Sequence, residues 1–330
     1  MYGELILDLI LDAVPASDLI PLRCVNHRAR DFIDSRIFKH VTLKTDPEAH
    51  GDRVVPVITE TEHRLPVPAL TPMSPHESIR LLFDYLGKYT TVLDVEAMNF
   101  RLLEHIGYGN THLDHLQALR LKSDLEGYHT YDLFDSFGAR TVVVFPSFFP
   151  SLPHREEPTI IPDGATKLVQ HISFAFDWRG PVLFQSQYEF PSDVTDEVWI
   201  MTHADIDADL CGYEDLEELH QEIADQIVRR LNVGINLTIV GYESVPDWGN
   251  SLFGVRYQDY ETPTLSNLPD INEKTKQAIR YSLEVKMRLL SHLDFKTWDE
   301  YAASLSPEEL EFEKLPAAVS MVSHFHEPAT

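Results

Sequence analysis

The chain has 330 residues, of which 43% are hydrophobic, and it carries a formal net charge of -26 at pH 7. This apolar content supports a packed core and excludes global disorder, and the length suits one large domain or two ordinary ones. A surface of such negative charge repels nucleic acid and anionic membranes, so we expect neither as a partner.

Three features of the sequence predict an intracellular protein. Its two cysteines, Cys24 and Cys211, are too few for a disulfide framework or a thiolate metal cage. The apolar start, "MYGELILDLILDAV", carries acidic residues where a signal peptide carries basic ones. No uninterrupted apolar run approaches the length of a membrane span. We therefore expect a location in the cytoplasm, the nucleus or both.

The first forty residues predict short helices with more apolar surface than they can cover themselves. Glu4, Asp8 and Asp12 are four apart and form one polar stripe on an otherwise apolar helix. Pro15 then turns the chain, and Ser17 is an N-cap candidate for a second helical stretch. A unit of this size rarely folds alone, so its surplus apolar surface must meet the rest of the chain or another protein. Apolar residues recur in the second stretch at Leu22, Val25, Ala29, Phe32 and Ile33.

The segment "GELILDLILDAVPASDLIPLRCVNHRARDFIDSRIFKHV" resembles an F-box, the helical module that binds the Skp-type adaptor of cullin-based ubiquitin ligases. Tyr2-Gly3 stands where the family has Leu-Pro, Asn26 where it has Cys, and Ala29 where it has Trp. Because the missing Leu-Pro belongs to the adaptor-contacting end, we expect weaker adaptor binding. The resemblance implies a solvated rim of arginines at Arg23, Arg28 and Arg30. It implies adaptor contacts by Leu5, Ile6, Leu9, Ile10, Pro15, Leu19, Leu22 and Val25.

Residues 41–75 are rich in proline, which excludes a continuous helix. We interpret them as a linker after the F-box at 1–40. Candidate early strands lie at Val41 and around "RVVPVI".

Residues 76–315 alternate short apolar runs with helical stretches, and the predicted helices "HESIRLLFDYLGKY" and "MNFRLLEHIG" flank the first good run. Successive run centres are 26, 23, 30, 26 and 39 residues apart, which predicts parallel strands side by side in one curved sheet. Within it, "LQALRLKSD" resembles a leucine-rich repeat. The fold class is therefore α/β: a helical F-box, then a leucine-rich-repeat-like βα solenoid with a helical C-terminal cap and a disordered tail at 316–330. This plan resembles that of many fungal F-box proteins. The run centres are Leu93, Leu119, Val142, Ile172, Val198 and Leu237.

The sequence offers no catalytic or metal motif. It contains no His-Glu-x-x-His, no Gly-x-Ser-x-Gly and no phosphate loop. After Asp205 the acidic spacing starts like a calcium loop, but Leu210 and Leu216 stand where Gly and Glu are required. His112 and His115 lack a third ligand. We therefore predict no catalytic residue, no metal and no cofactor.

These observations favour the substrate-recognition subunit of an SCF-type ubiquitin ligase, a non-enzyme that reaches a cullin through the Skp-type adaptor and holds an unknown target protein. The target would bind the concave face of the strands or the loops at their ends. The first alternative is a repeat scaffold outside any ligase, with the F-box-like start as its N-terminal cap. The second is a hydrolase whose site is dispersed over strand ends. Exposed candidates for target binding are Asp94, Arg120, Lys122, His203 and Tyr242.

Overall fold

The computed structural model describes residues 13–25, 27–46, 53–59, 61–67, 69–71, 73–96, 113, 115–121, 138–145, 159–160, 164–177, 180–184, 188–189, 193–203, 227, 229–241 and 292–313. The chain divides into two compact units, the first made of Met1–Leu168 with Ser186–Val194 and the second of Val169–Gln185 with Thr195–Thr330. The region predicted as one solenoid therefore contributes to two units. No helix in these ranges is long and apolar enough to span a membrane.

The described part of the first unit begins with three helical segments. Helix α1 spans Ala16–Leu19, a 3-10 helix follows at Ile20–Cys24, and α2 spans His27–Ile37. Pro21 is the second residue of the 3-10 helix, where its missing N–H costs no hydrogen bond. Helix α2 packs against both preceding segments. The first predicted helix, with Leu5, Ile6, Leu9 and Ile10, lies outside the described residues.

Five strands of the first unit lie in the order β2-β1-β3-β4-β5. Strands β1, β3, β4 and β5 are parallel neighbours, whereas β2 pairs antiparallel with β1. Helix α3, at His76–Tyr89, matches the predicted helix "HESIRLLFDYLGKY" and leads into β3. A separate parallel pair is formed by β6 (Thr159–Ile160) and β9 (Tyr188–Glu189). The bounds of the five strands are β1 His40–Thr45, β2 Val54–Ile58, β3 Val92–Val95, β4 Ala118–Leu121 and β5 Thr141–Val144.

The parallel register of Leu93, Leu119 and Val142 on adjacent strands is confirmed. The candidate early strands at Val41 and around "RVVPVI" are confirmed as β1 and β2. The described part of residues 41–75 is packed into the first unit and is not a loose linker. Every residue of β2 is buried, and Leu65 and Leu70 are buried beside it. The prolines interrupt helix formation, as expected, but the β-branched residues between them pair with β1 instead of forming a loose connection.

Strand β7 spans Lys167–Asp177 and belongs to the second unit from Val169 onward. It is followed in space by β10 (Asp196–His203), β11 (Asn236–Val240) and β12 (Leu293–Lys296). Strands β10, β11 and β12 are parallel, which confirms the parallel pairing predicted for the runs at Val198 and Leu237. The register differs by one residue from an alignment of the two run centres, because Leu237 lies opposite Glu197 and Val198 lies opposite Thr238. Strand β8, at Gly180–Phe184, pairs antiparallel with β7. The two antiparallel strands, β2 and β8, contain none of the six run centres for which parallel pairing was predicted.

Two helices close the described chain, α4 at Trp298–Ser304 and α5 at Pro307–Glu313. We expected them to cap the end of the array. Instead, the Glu313 carbonyl accepts a hydrogen bond from Nε2 of His171 at 2.7 Å, and His171 belongs to β7, three strands away from β12. The helices therefore lie across one face of the second unit's sheet. An amphipathic helix pattern is the same for both placements, so the sequence did not separate them.

Candidate functional site

Exposed apolar side chains cluster on the 3-10 helix and the residue after it. No residue of the 3-10 helix is buried, and Leu22 and Val25 are 40% and 67% exposed. Pro21 and the thiol of Cys24 are exposed beside them. We call Pro21, Leu22, Cys24 and Val25 the N-terminal patch. Large apolar side chains at such exposures mark a candidate contact surface, because their burial by a partner is favourable.

The structure separates the predicted adaptor contacts into exposed and buried residues. Pro15 is exposed, as Leu22 and Val25 are, so these three are available to a partner. Leu19 is fully buried, and its predicted contact with an adaptor is corrected. Leu19 ends α1 where the chain enters the 3-10 helix, and its side chain is closed off from solvent there. The spacing of Leu19 from Leu22 and Val25 in the sequence did not indicate that Leu19 is buried while the other two are exposed.

An ion pair holds the N-terminal patch to α2. Both Nε and Nη2 of Arg23 donate to the carboxylate of Asp34, the Nη2 bond measuring 3.0 Å. The two side chains are only 9% and 2% exposed. The expectation that Arg23 belongs to a solvated rim is therefore wrong, since a planar guanidinium and a carboxylate form a favourable two-point contact. Burial alone would lower the pKa of Arg23, but Asp34 and Tyr85 outweigh it and raise that pKa above its ordinary value.

Aromatic residues of α3 contact the 3-10 helix and the residues at the end of α2. The Phe38 ring stacks on Tyr85 with centroids 4.8 Å apart, and the Arg23 guanidinium lies 5.7 Å from the Tyr85 centroid. At the surface, the Tyr89 hydroxyl donates to Asp31 at 3.1 Å. This hydrogen bond, with help from Lys88, lowers the pKa of Asp31. These contacts fix the 3-10 helix, which carries the N-terminal patch, against α2 and α3.

Ala29, at the position where the F-box pattern has tryptophan, is buried at 4% exposure. Ile33 and Ile37 are fully buried on the same helix. The small side chain of Ala29 therefore lies on the buried face of α2. Helix α2 remains packed with alanine, and not tryptophan, at this position. The departures at Tyr2, Gly3 and Asn26 lie outside the described residues.

Two of the predicted target-binding residues are buried and pair with each other. Asp94 is 0% exposed and Arg120 is 3% exposed, with Nη1 of Arg120 at 3.3 Å from Oδ2 of Asp94. His40 lies 3.0 Å from the other carboxylate oxygen, and the guanidinium lies 5.1 Å from the Phe145 ring centroid. The expected exposure of both residues is wrong, because these strands are buried on both faces, as parallel sheets usually are.

The other three predicted target contacts stay predictions. Lys122 and Tyr242 lie outside the described residues. His203 is the last residue of β10, at the carboxyl end of the strand, and its side chain is not among those described.

A second buried charge cluster in the second unit was missed by sequence reasoning. Oε1 of Glu197 accepts hydrogen bonds from Gln170 Nε2 at 2.7 Å, from Arg230 Nε at 3.0 Å and from the indole of Trp199. Glu197 is fully buried. In the sequence, only the presence of a glutamate within an apolar strand indicated this cluster. Its partners Gln170 and Arg230 come from segments distant in sequence. The cluster links β7, β10 and the helical turn before β11.

Metal binding has no candidate site in the parts of the chain that the structure describes, where no three His, Cys, Asp or Glu side chains group together. His115 is exposed. His112 and the acidic stretch after Asp205 lie outside the described residues, so the prediction about calcium there stays a prediction.

Comparison of the chain with family models, curated proteins and solved structures finds no match. The feature of the described residues that bears most directly on function is the exposed N-terminal patch, packed against α2 and α3.

Proposed function

We propose that the chain is the substrate-recognition subunit of an SCF-type ubiquitin ligase. It binds a Skp-type adaptor through its N-terminal helices, and through the adaptor a cullin, in the cytoplasm or nucleus. The observation that carries the proposal is the exposure of Leu22 and Val25 at positions of the F-box pattern, on a base fixed by the Arg23–Asp34 pair. Full burial of one such side chain is worth about 1.5–3 kcal/mol, so the N-terminal patch gains substantially from a partner.

The proposed role is positional and not chemical. The chain holds a target protein near the transfer machinery of the other subunits, so no bond-making residue is needed in it. The parallel strands give a rigid base, and target contacts belong on a sheet face or on the loops at the strand ends.

Adaptor co-purification tests the proposal. Leu22→Asp and Val25→Asp each put an uncompensated charge into the contact, which is costly in a desolvated interface. Because both residues are exposed, we expect unchanged thermal unfolding and loss of adaptor binding. Val233→Asp is the matched control, because Val233 is 65% exposed and lies in the second unit. The Val233→Asp variant should bind the adaptor as wild type does.

A second variant restores Leu-Pro at positions 2 and 3 and should strengthen adaptor binding. If neither the wild-type chain nor this variant, both folded, binds the adaptor at micromolar concentration, the ligase proposal fails.

The alternative is a protein-interaction scaffold whose N-terminal helices only cap the sheet. The burial of Leu19 and the packing of Phe38 on Tyr85 favour it, because these contacts use apolar surface within the chain. The two functions differ at the N-terminal patch. A cap needs no partner there, so under this alternative Leu22→Asp and Val25→Asp would leave every interaction of the chain unchanged.

A further inference from the structure

One face of the second unit's sheet is covered by the chain's own C-terminal helices. Gln170 and Glu197 share a face, because their side chains are hydrogen bonded, so His171 points to the opposite face. The parallel register carries that opposite face from β10 through β11 to β12. We call it the covered face. Its members are His171, Val198, Ile200, Thr238, Val240, Asp294 and Lys296.

Helices α4 and α5, with the turn between them, form a strap over the covered face. At one end the ammonium of Lys296 lies 5.9 Å from the Tyr301 ring centroid. The Tyr301 hydroxyl donates to Oε2 of Glu313 at 2.6 Å, and at the other end the Glu313 carbonyl accepts from Nε2 of His171 at 2.7 Å. Tyr301 is 4% exposed and Glu313 is 1% exposed. The strap thus runs from β12 to β7.

Three features make the strap separable from the sheet beneath it. Each helix has seven residues, too few to be stable alone in water. Each has its own capping box, Thr297 with Glu300 and Ser306 with Glu309, so their ends depend little on the sheet. The strap follows β12, the last strand in the described order, so its departure removes no strand from the interior.

The strap shows which chemistry the covered face accepts. Residues 298–313 contain six acidic residues and no Lys or Arg. The covered face presents the ring N–H of His171 and the ammonium of Lys296, which also lies 3.6 Å from Asp294. Between these polar ends Val198, Ile200 and Val240 are buried. The combination suits a short acidic helix with one aromatic side chain.

We infer that the covered face is the target-binding surface of the second unit and that the strap is its built-in competitor. A target presents an acidic, tyrosine-bearing helical segment, which takes the place of α4–α5. The inference rests on the proposed function for its premise that a target protein is bound, and it adds where the target binds and what holds that surface closed.

A labelled peptide of residues 297–313 tests the inference on the full-length chain. In wild type the strap competes with the peptide. Tyr301→Phe with Glu313→Gln removes the strap's internal hydrogen bond and the buried charge. We expect the double variant to bind the peptide about tenfold more tightly, as the loss of one hydrogen bond to a charged group implies. Adding His171→Ala should abolish the gain. Tyr89→Phe, which removes a Tyr–carboxylate hydrogen bond in the first unit, should bind the peptide as wild type does.

Equal peptide affinity in wild type and the double variant would overturn the inference. So would loss of cooperative unfolding in the double variant, because the strap would then be a structural part of the fold. Adaptor co-purification on the same proteins separates the two proposals. Adaptor binding without a gain in peptide affinity refutes the strap alone, and the reverse pattern refutes the ligase proposal alone.

Discussion

Arg120 and Asp94 lie opposite each other on adjacent parallel strands, with both charged groups shut away from water and 3.3 Å between Nη1 and Oδ2. Burying two charges costs several kcal/mol per ion, which only close pairing offsets. The contact therefore stabilises the register of β3 and β4 only while both partners are present.

Removing one partner of this pair should be far more harmful than removing both. We expect Asp94→Leu to lower the free energy of unfolding by about 3–5 kcal/mol, because it leaves the Arg120 charge buried without Asp94. Asp94→Leu with Arg120→Met should recover a large part of that loss. Urea denaturation of the two single variants and the double variant measures the coupling.

Additive losses in this cycle would show that the two side chains act independently and would contradict the account. The exposed Lys88–Asp31 pair, at 3.4 Å, serves as the control. Lys88→Ala should leave stability nearly unchanged, since exposed pairs are screened by water and salt.

The same pair shows how far sequence reasoning reached. The runs "TVLDV" and "ALRL" were predicted to form parallel strands with Leu93 and Leu119 at equivalent positions, which is correct. Asp94 and Arg120 were expected to be exposed on these strands, which is wrong. Whether a sheet face is covered depends on segments distant in sequence, and no local pattern encodes that. Helix α3 was predicted with its bounds, because its amphipathic pattern is long and its start follows Pro75.

The expected exposure of Arg23 and the expected placement of the strap were wrong for related reasons. The partner of Arg23 is eleven residues away on another helix, a pairing that periodicity within one helix does not reveal. The strap's helices were predicted, but their docking depends on a backbone carbonyl, which has no sequence signature.

Gly241 should be intolerant of any side chain. Its φ is +71°, and a Cβ there would come 2.9 Å from the carbonyl oxygen of Met201. Gly241→Ala therefore combines left-handed strain of about 1–2 kcal/mol with a clash against backbone. Gly234, with φ +87° and open space around it, is the matched control, so Gly234→Ala should show the strain alone. Equal shifts in thermal unfolding for the two variants would rule out the clash.

Tyr301 should make the chain less stable in alkali. Burial, together with the charge and hydrogen bond of Glu313, raises the pKa of Tyr301. A raised pKa in the folded state means that the stabilisation is fully present below the unfolded tyrosine value of about 10 and is lost as the pH rises above it. Each unit of pH beyond that point should cost about 1.4 kcal/mol.

The difference between wild type and Tyr301→Phe isolates this contribution. The stability advantage of wild type should be constant from neutral pH to about 10 and should shrink above it. Urea denaturation at several pH values measures the difference. An advantage that stays constant through alkaline pH would contradict the buried, neutral state of Tyr301.

Alkylation of Cys24 tests the central claim, that the N-terminal patch is the adaptor contact. Cys24 is exposed and lies in the N-terminal patch with Leu22 and Val25, so its thiol reports on that surface without any substitution. Iodoacetamide labelling is followed by peptide mass spectrometry, which separates Cys24 from Cys211, with and without saturating Skp-type adaptor. We predict that the adaptor slows labelling of Cys24 by about tenfold or more, since a covered thiol is inaccessible to the reagent, and that Val25→Asp abolishes this protection. An unchanged labelling rate of Cys24 at saturating adaptor would contradict the account.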